Sequence, residues 1–133
     1  MIIADTNLIA YFLIPGSFTT TAHAVFHRDP AWGAPLLWRS ELRNVLGKYV
    51  RSGEISLSVA LNVMQQAESQ LIQQEFQVQS PPVLALAASA HCSPYDCEFV
   101  HVAQTLGCPL VTADKRVLAA FPGTAVSLED FIR

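Results

Sequence analysis

Short apolar segments alternate with longer helical segments along the chain, and this alternation constrains the fold more than any other feature of the sequence. The apolar segments lie at residues 1–4, 32–36, 110–112 and 124–126, with a further short extended piece at 76–78. Strands that alternate with helices predict a parallel or mostly parallel sheet. At 133 residues the chain fits one domain. We therefore expect a single α/β domain over residues 1–133, with a small, mostly parallel central sheet flanked by helices on both faces.

Helical periodicity and capping signals define the segments between these strands. In residues 37–51, for example, Trp38, Leu42 and Val45 recur on one face. Ser93-Pro94 is a typical helix start and Gly107 a typical helix end. The predicted helices run from near residue 8 to 14, then over 17–28, 37–51, 57–74, 82–90, 94–107 and 115–120, with a final turn after Ser127.

Four acidic residues, Asp5, Glu41, Asp96 and Asp114, occupy positions that point toward one corner of such a fold. Asp5 and Asp114 each follow a predicted strand, where ligands bind in open α/β sheets. Asp96 lies in the first turn of its helix, close to the apolar stripe, and Glu41 flanks the apolar face of its helix. Acids are scarce, at 11 of 133 residues, so their placement is informative.

Each acid also has an ordinary structural explanation. Asp5 and Asp114 are suited to turns or helix caps, Asp96 suits the helix dipole, and Glu41 is compatible with solvent exposure. If the four converge, however, carboxylates crowded within about 5 Å repel unless a divalent cation compensates. The set therefore predicts one or two Mg²⁺ or Mn²⁺ ions, and chemistry of the phosphodiester-hydrolysis type.

Four basic residues, Arg39, Arg43, Lys115 and Arg116, lie within two positions of Glu41 or Asp114. They are candidate contacts for RNA phosphates, with solvated surface pairs as the alternative. The net charge of −3 gives no overall basic footprint for nucleic acid.

Composition and the N-terminal sequence indicate the oligomeric state and the cellular location. Only 14% of residues are charged, against roughly 25% in typical domains, which favours burial of surface in an oligomer. No signal-peptide pattern precedes the first strand, and the longest apolar run, 8–14, is too short for a bilayer. We therefore expect a cytoplasmic protein without a membrane partner.

Three cysteines leave a zinc site as an alternative to buried thiols. His91, Cys92, Cys97 and His101 could supply its ligands, although the spacing of Cys92 and Cys97 crosses a helix start. Buried free thiols are the simpler interpretation, and an odd number of cysteines argues against a disulfide framework.

With these residues in view, the chain resembles the PIN-domain ribonucleases, and specifically the VapC-type toxins of type II toxin–antitoxin systems. The matching segments are Ile2-Ile3-Ala4-Asp5-Thr6-Asn7, Arg39-Ser40-Glu41-Leu42, Tyr95-Asp96 and Val111-Thr112-Ala113-Asp114-Lys115-Arg116. Their order and spacing cover nearly the whole chain. The departures are Cys97, where a small residue is more usual, and a glutamine-rich segment over 68–82 that could serve recognition or dimerisation.

The resemblance implies a PIN-like fold in which Asp5, Glu41, Asp96 and Asp114 are catalytic and bind the metal. It assigns supporting roles to Thr6, Asn7 and Thr112. It further implies Mg²⁺- or Mn²⁺-dependent RNA cleavage, a homodimer and a cognate antitoxin protein. A housekeeping RNA-processing nuclease and a catalytically silent binding module of the same fold remain alternatives. A haloacid-dehalogenase-like phosphatase fits less well, because Asn7 stands where a second aspartate is needed.

Overall fold

A computed structural model describes all residues, 1–133, and contains one five-stranded sheet in which every pairing is parallel. The strand order across the sheet is β3-β2-β1-β4-β5. The strands are β1 (Ile2–Ala4), β2 (Trp32–Pro35), β3 (Glu75–Phe76), β4 (Leu110–Val111) and β5 (Ala125–Val126). The expected α/β fold is confirmed, and the sheet is parallel throughout.

Eight helices connect and cover these strands. They are α1 (Thr6–Leu13), α2 (Thr19–Arg28), α3 (Leu37–Ser52), α4 (Leu57–Leu71), α5 (Ser80–Ser89), α6 (Pro94–Leu106), α7 (Lys115–Ala120) and α8 (Leu128–Ile132). Every residue of β1, β2 and β4 is buried. Alternate residues of a strand point to opposite faces, so both faces of the central sheet must be covered.

Helix boundaries differ from the sequence prediction where local hydrogen bonds decide them. Helix α1 begins at Thr6 rather than near residue 8, because the Asp5 side chain caps it. Helix α2 begins at Thr19, later than predicted, and Ser17 is not its cap. Helix α4 ends at Leu71, three residues before the predicted end at 74, since the chain then turns into β3.

The order of the strands places a crevice between β1 and β4. From β1 the chain moves outward through β2 to β3, then crosses back to lay β4 on the other side of β1. Neighbouring strands whose connections leave in opposite directions open a cleft at their carboxyl ends, where α/β proteins bind ligands. Asp5 follows β1 at this edge, and Thr112 and Asp114 follow β4.

The apolar core is built around two buried tryptophans, Trp32 of β2 and Trp38 of α3. No helix has the length and apolar character needed to span a bilayer.

Gly33 is predicted to be indispensable to the packing of β2. A Cβ at this position would lie 3.0 Å from Cε2 of Phe76, 3.2 Å from the carbonyl oxygen of Gln74 and 3.3 Å from Cδ1 of Ile3. We expect Gly33→Ala to lower the free energy of unfolding by about 1–3 kcal/mol, because a backbone carbonyl cannot move aside cheaply. Urea denaturation measures this change.

Gly47 provides the matched control. It lies inside α3, and the nearest atom to a Cβ there is Nη1 of Arg51 at 3.8 Å. Gly47→Ala should raise the free energy of unfolding by about 0.5–1 kcal/mol through helix propensity. A Gly33→Ala protein as stable as wild type would contradict this account of β2.

Candidate active site

A cavity of about 180 Å³ opens at the carboxyl ends of β1 and β4, and all four predicted acids line it. Asp5 and Asp114 come from the loops after the two strands, Glu41 from α3 and Asp96 from the first turn of α6. Residues up to 109 positions apart in sequence therefore share one pocket. The apolar side chains of Phe99, Leu110 and Val117 complete part of its wall.

Asp5 is held by both of its carboxylate oxygens. Its Oδ1 accepts the backbone N–H groups of Asn7, at 2.6 Å, and Leu8, at 3.2 Å, which caps α1. Its Oδ2 accepts the hydroxyl of Thr112. The helix-cap explanation considered for Asp5 is therefore correct, and the cap is what aims this carboxylate at the cavity.

Asp114 repeats the arrangement at the start of α7. Its Oδ1 accepts the backbone N–H groups of Arg116, at 2.8 Å, and Val117, at 3.2 Å. The backbone N–H of Asp114 itself donates to Oγ1 of Thr112 at 3.0 Å. Thr112 is fully buried. Its one hydroxyl donates to Asp5 and accepts from the backbone of Asp114 at the same time.

Glu41 and Asp96 are fixed by different means. The buried Thr6 hydroxyl donates to Oε1 of Glu41 at 2.7 Å, which turns a half-buried glutamate toward the cavity. Asp96 follows the helix cap Ser93, whose Oγ accepts the Asp96 backbone N–H at 3.1 Å. A carboxylate in this first turn is also favoured by the helix dipole.

Burial and the charges of neighbouring acids raise the pKa of three carboxylates, those of Asp5, Glu41 and Asp96. Burial, with a smaller contribution from the Asp114 charge, raises the pKa of Asp5 and the pKa of Asp96. Burial also raises the pKa of Glu41, with Asp5 and Asp96 adding to the effect. Several acids with perturbed pKa values in one cleft are typical of functional sites.

The donor set suits a hard divalent cation, since it consists of carboxylate oxygens with hydroxyls beside them. The residues that could hold such an ion are Asp5, Glu41, Asp96 and Asp114. As placed, however, no three acid, histidine or cysteine side chains are close enough together to hold one metal ion. The chemistry of the donors, rather than their present spacing, supports metal binding.

The predicted supporting residues Thr6, Asn7 and Thr112 all line the cavity. Asn44 also lines it and was not predicted from the sequence. It lies three positions after Glu41 on α3, so the helical spacing from Glu41 was the signal that could have found it.

Of the predicted basic residues, none lines the cavity. Arg43, Lys115 and Arg116 are exposed. Arg39 is instead bound by carboxylates: its Nε donates to Oε2 of Glu75 at 2.6 Å and its Nη2 to Oε1 at 2.9 Å. Nη1 of Arg39 also bonds Glu68.

The prediction of Arg39 as a phosphate contact is therefore corrected to a structural role. Glu75 raises the pKa of Arg39 above its usual range, and Arg39 lowers the pKa of Glu75. Nε1 of Trp38 donates to the same Glu75 carboxylate at 2.9 Å, so this cluster ties α3 to β3 and, through Glu68, to α4. The two glutamates come from the 68–82 segment, for which the sequence suggested recognition or dimerisation.

Comparisons with known proteins agree with this fold. A family model described as PIN domain matches residues 2–123. The crystal structure of PAE2754 from Pyrobaculum aerophilum is similar with a TM-score of 0.76 and 20% identity, over 98% of this chain and 85% of that chain. The crystal structure of FitAcB from Neisseria gonorrhoeae is similar with a TM-score of 0.69 and 15% identity, over 97% of this chain and 99% of that chain. No curated protein matches in sequence.

Replacement of Glu41 by Gln is predicted to stabilise the metal-free protein at neutral pH. The pKa of Glu41 is raised in the folded state, so the folded protein binds a proton at this side chain more tightly than the unfolded chain does. The resulting contribution to the free energy of unfolding is complete below the unfolded pKa of about 4.3 and is lost as pH rises through the folded pKa. Glutamine keeps an acceptor for Thr6 without the charge. We expect a gain of about 0.5–1 kcal/mol at pH 7, since water screens a half-buried group, and none near pH 4.

Urea unfolding in the presence of EDTA at the two pH values measures this gain. Glu54→Gln, which removes an exposed acid between α3 and α4, is the control and should show no such pH dependence. Equal stability of Glu41→Gln and wild type at pH 7 would count against electrostatic crowding in the cavity.

Proposed function

The chain belongs to the PIN domain family, and on that premise we propose that it is a Mg²⁺- or Mn²⁺-dependent endoribonuclease that hydrolyses phosphodiester bonds of RNA. PIN domains are generally metal-dependent nucleases. We further propose that residues 1–133 form a single such domain, with Asp5, Glu41, Asp96 and Asp114 as its catalytic, metal-binding acids.

The observation that carries the proposal is the meeting of four carboxylates, from four separate elements, in one cavity at the switch point of the sheet. Burial that raises the pKa of three of them costs stability. A fold retains such a costly cluster where its function needs it.

The chain's own groups would orient the reaction. Thr112 and the backbone of α1 hold Asp5, the backbone of α7 holds Asp114, and Thr6 holds Glu41. A divalent ion bound by these acids would lower the pKa of a water nucleophile and polarise the phosphoryl oxygen. Phe99 and Val117 form an apolar wall beside this corner.

Exposed cations near the cavity suit the substrate's phosphates. Lys115 and Arg116 directly follow Asp114, and Arg43 lies two residues after Glu41. We propose these three, without Arg39, as contacts for phosphates flanking the cleaved bond. Such contacts supply affinity without sequence preference.

Asp96→Asn tests the nuclease proposal. We expect it to reduce Mg²⁺-dependent RNA cleavage by at least about a hundredfold, because mutation of residues that only hydrogen-bond to metal ligands already costs about 10–100-fold. Cleavage of RNA by purified protein, with and without EDTA, is the measurement.

Asp130→Asn is a closely matched control. Asp130 occupies the third residue of α8, after the cap Ser127, as Asp96 does in α6 after Ser93, and both backbone N–H groups donate to the serine at 3.1 Å. Asp130→Asn should cleave RNA like wild type. If Asp96→Asn retains full activity, the metal-nuclease proposal is wrong.

The biological role we propose is that of a VapC-type toxin acting in the cytoplasm, silenced by a cognate antitoxin protein. The resemblance of the segments around the four acids to such toxins supports this role.

We also propose a homodimer. The low charge content and the exposed Leu57 and Leu61, one turn apart on α4, support it. Sedimentation of wild type and Asp96→Asn should show the same dimer.

Induced expression in a bacterial host separates this role from housekeeping RNA processing. A toxin should arrest growth within minutes to hours of induction, whereas Asp96→Asn at equal protein level should not. The growth curve, with a blot for protein level, is the measurement. Normal growth with active enzyme in extracts would contradict the toxin role and favour the processing nuclease.

A further inference from the structure

A second cavity, of about 320 Å³, adjoins the acidic one and contains three aromatic side chains, Tyr11, Phe18 and Tyr49. Its volume is within the range of pockets that hold small ligands. Asn7 and Val45 line both cavities, so the two lie side by side. Nothing in the proposed metal chemistry uses the aromatic end, which we call the aromatic pocket.

Helical spacing explains why acids and rings line one groove. On α3, Glu41, Val45 and Tyr49 recur every four residues and so share a face. On α1, Asn7 and Tyr11 are related in the same way. The two helices pack together. A rise of 1.5 Å per residue separates Glu41 from Tyr49 by about 12 Å along the axis, which places the rings within reach of a nucleotide near the reacting phosphate.

The rings are positioned yet accessible. Phe18 is 48% exposed, and its ring stacks on that of Tyr11 with centroids 4.7 Å apart and an interplanar angle of 30°. Thr19 fixes the turn that carries Phe18, because its Oγ1 accepts the Gly16 N–H at 2.8 Å and donates to the Ile14 carbonyl at 3.2 Å.

Polar groups in the aromatic pocket are free to bind a ligand. The hydroxyls of Tyr11 and Tyr49 and the side-chain amide of Asn7 form no hydrogen bond within the chain, whereas the Thr6 and Thr112 hydroxyls nearby are all engaged. Burial raises the pKa of Tyr11, with smaller contributions from Asp5 and Tyr49.

We propose that the aromatic pocket binds an unpaired RNA base next to the phosphate at the acidic cavity, stacked on Phe18 and hydrogen-bonded by the tyrosine hydroxyls. The proposal rests on the proposed function and narrows its substrate class to single-stranded or looped RNA. Proteins bind such RNA by stacking splayed bases on aromatic rings and bonding their edges. A base within a duplex is already stacked and paired, so a helical RNA could not fill this pocket.

The experiment compares two substitutions of Phe18 in the Asp96→Asn background, which allows binding to be measured without cleavage. Phe18→Leu removes the aromatic face and keeps an apolar side chain, while Phe18→Trp retains stacking. Two probes are used, a short single-stranded RNA and an oligomer of the same length whose riboses lack bases. Fluorescence anisotropy gives each Kd, and thermal unfolding confirms that each variant folds.

We expect Phe18→Leu to weaken binding of the base-containing RNA about tenfold, in line with the contribution of one stacked base, and Phe18→Trp to bind about as wild type. The abasic oligomer should bind all three proteins equally, because it has phosphates but nothing to stack. Leu84→Ala, at an exposed apolar residue of α5 that lines neither cavity, is the control and should change neither Kd.

Unchanged RNA affinity in Phe18→Leu overturns the proposal, and a protein partner would then be the ligand to test for this pocket. An equal loss on both oligomers also overturns it, since stacking would then not be the cause. Failure of this inference is distinct from failure of the proposed function. If RNA binding depends on Phe18 but the protein with Asp96 intact shows no Mg²⁺-dependent cleavage, only the nuclease proposal is refuted. If the protein cleaves RNA but its RNA affinity does not depend on Phe18, only the base site is refuted.

Discussion

The bond between the Thr112 hydroxyl and the Asp5 carboxylate is the contact on which the site most depends. It joins the ends of the two strands between which the connectivity of the sheet reverses. Because the same hydroxyl oxygen accepts the backbone N–H of Asp114, it also sets where α7 begins. A single buried threonine thus fixes the relative position of two carboxylates that belong to distant parts of the chain.

The site illustrates how structural and chemical roles coincide in one side chain. Asp5 and Asp114 begin helices by accepting backbone N–H groups, and those bonds orient the carboxylates into the cavity. The burial that raises the pKa of Asp5 also places its carboxylate at the floor of the cavity rather than on the open surface. The large core around Trp32 and Trp38 offsets the cost of gathering like charges at its edge.

Much of the fold and part of the site could be predicted from local patterns. Alternating strands and helices predicted the parallel sheet, and Asp5 and Asp114 were recognisable because each directly follows a strand. Arg39 was assigned wrongly because its partners, Glu68 and Glu75, are 29 and 36 residues away, and no local pattern reveals such pairing. The aromatic pocket was likewise hidden, since it exists only where α1 packs beside α3.

The outermost strands, β3 and β5, each contain only two residues. An edge this short offers too few free backbone groups to recruit a strand from another chain. At β3 the carboxylate of Glu75 is further engaged by Arg39 and Trp38, so the edge is also held by its neighbours. Strand addition, a common route to both regulated peptide capture and uncontrolled aggregation, is therefore disfavoured in this protein. The helices that cover the sheet offer a larger surface for assembly than its edges do.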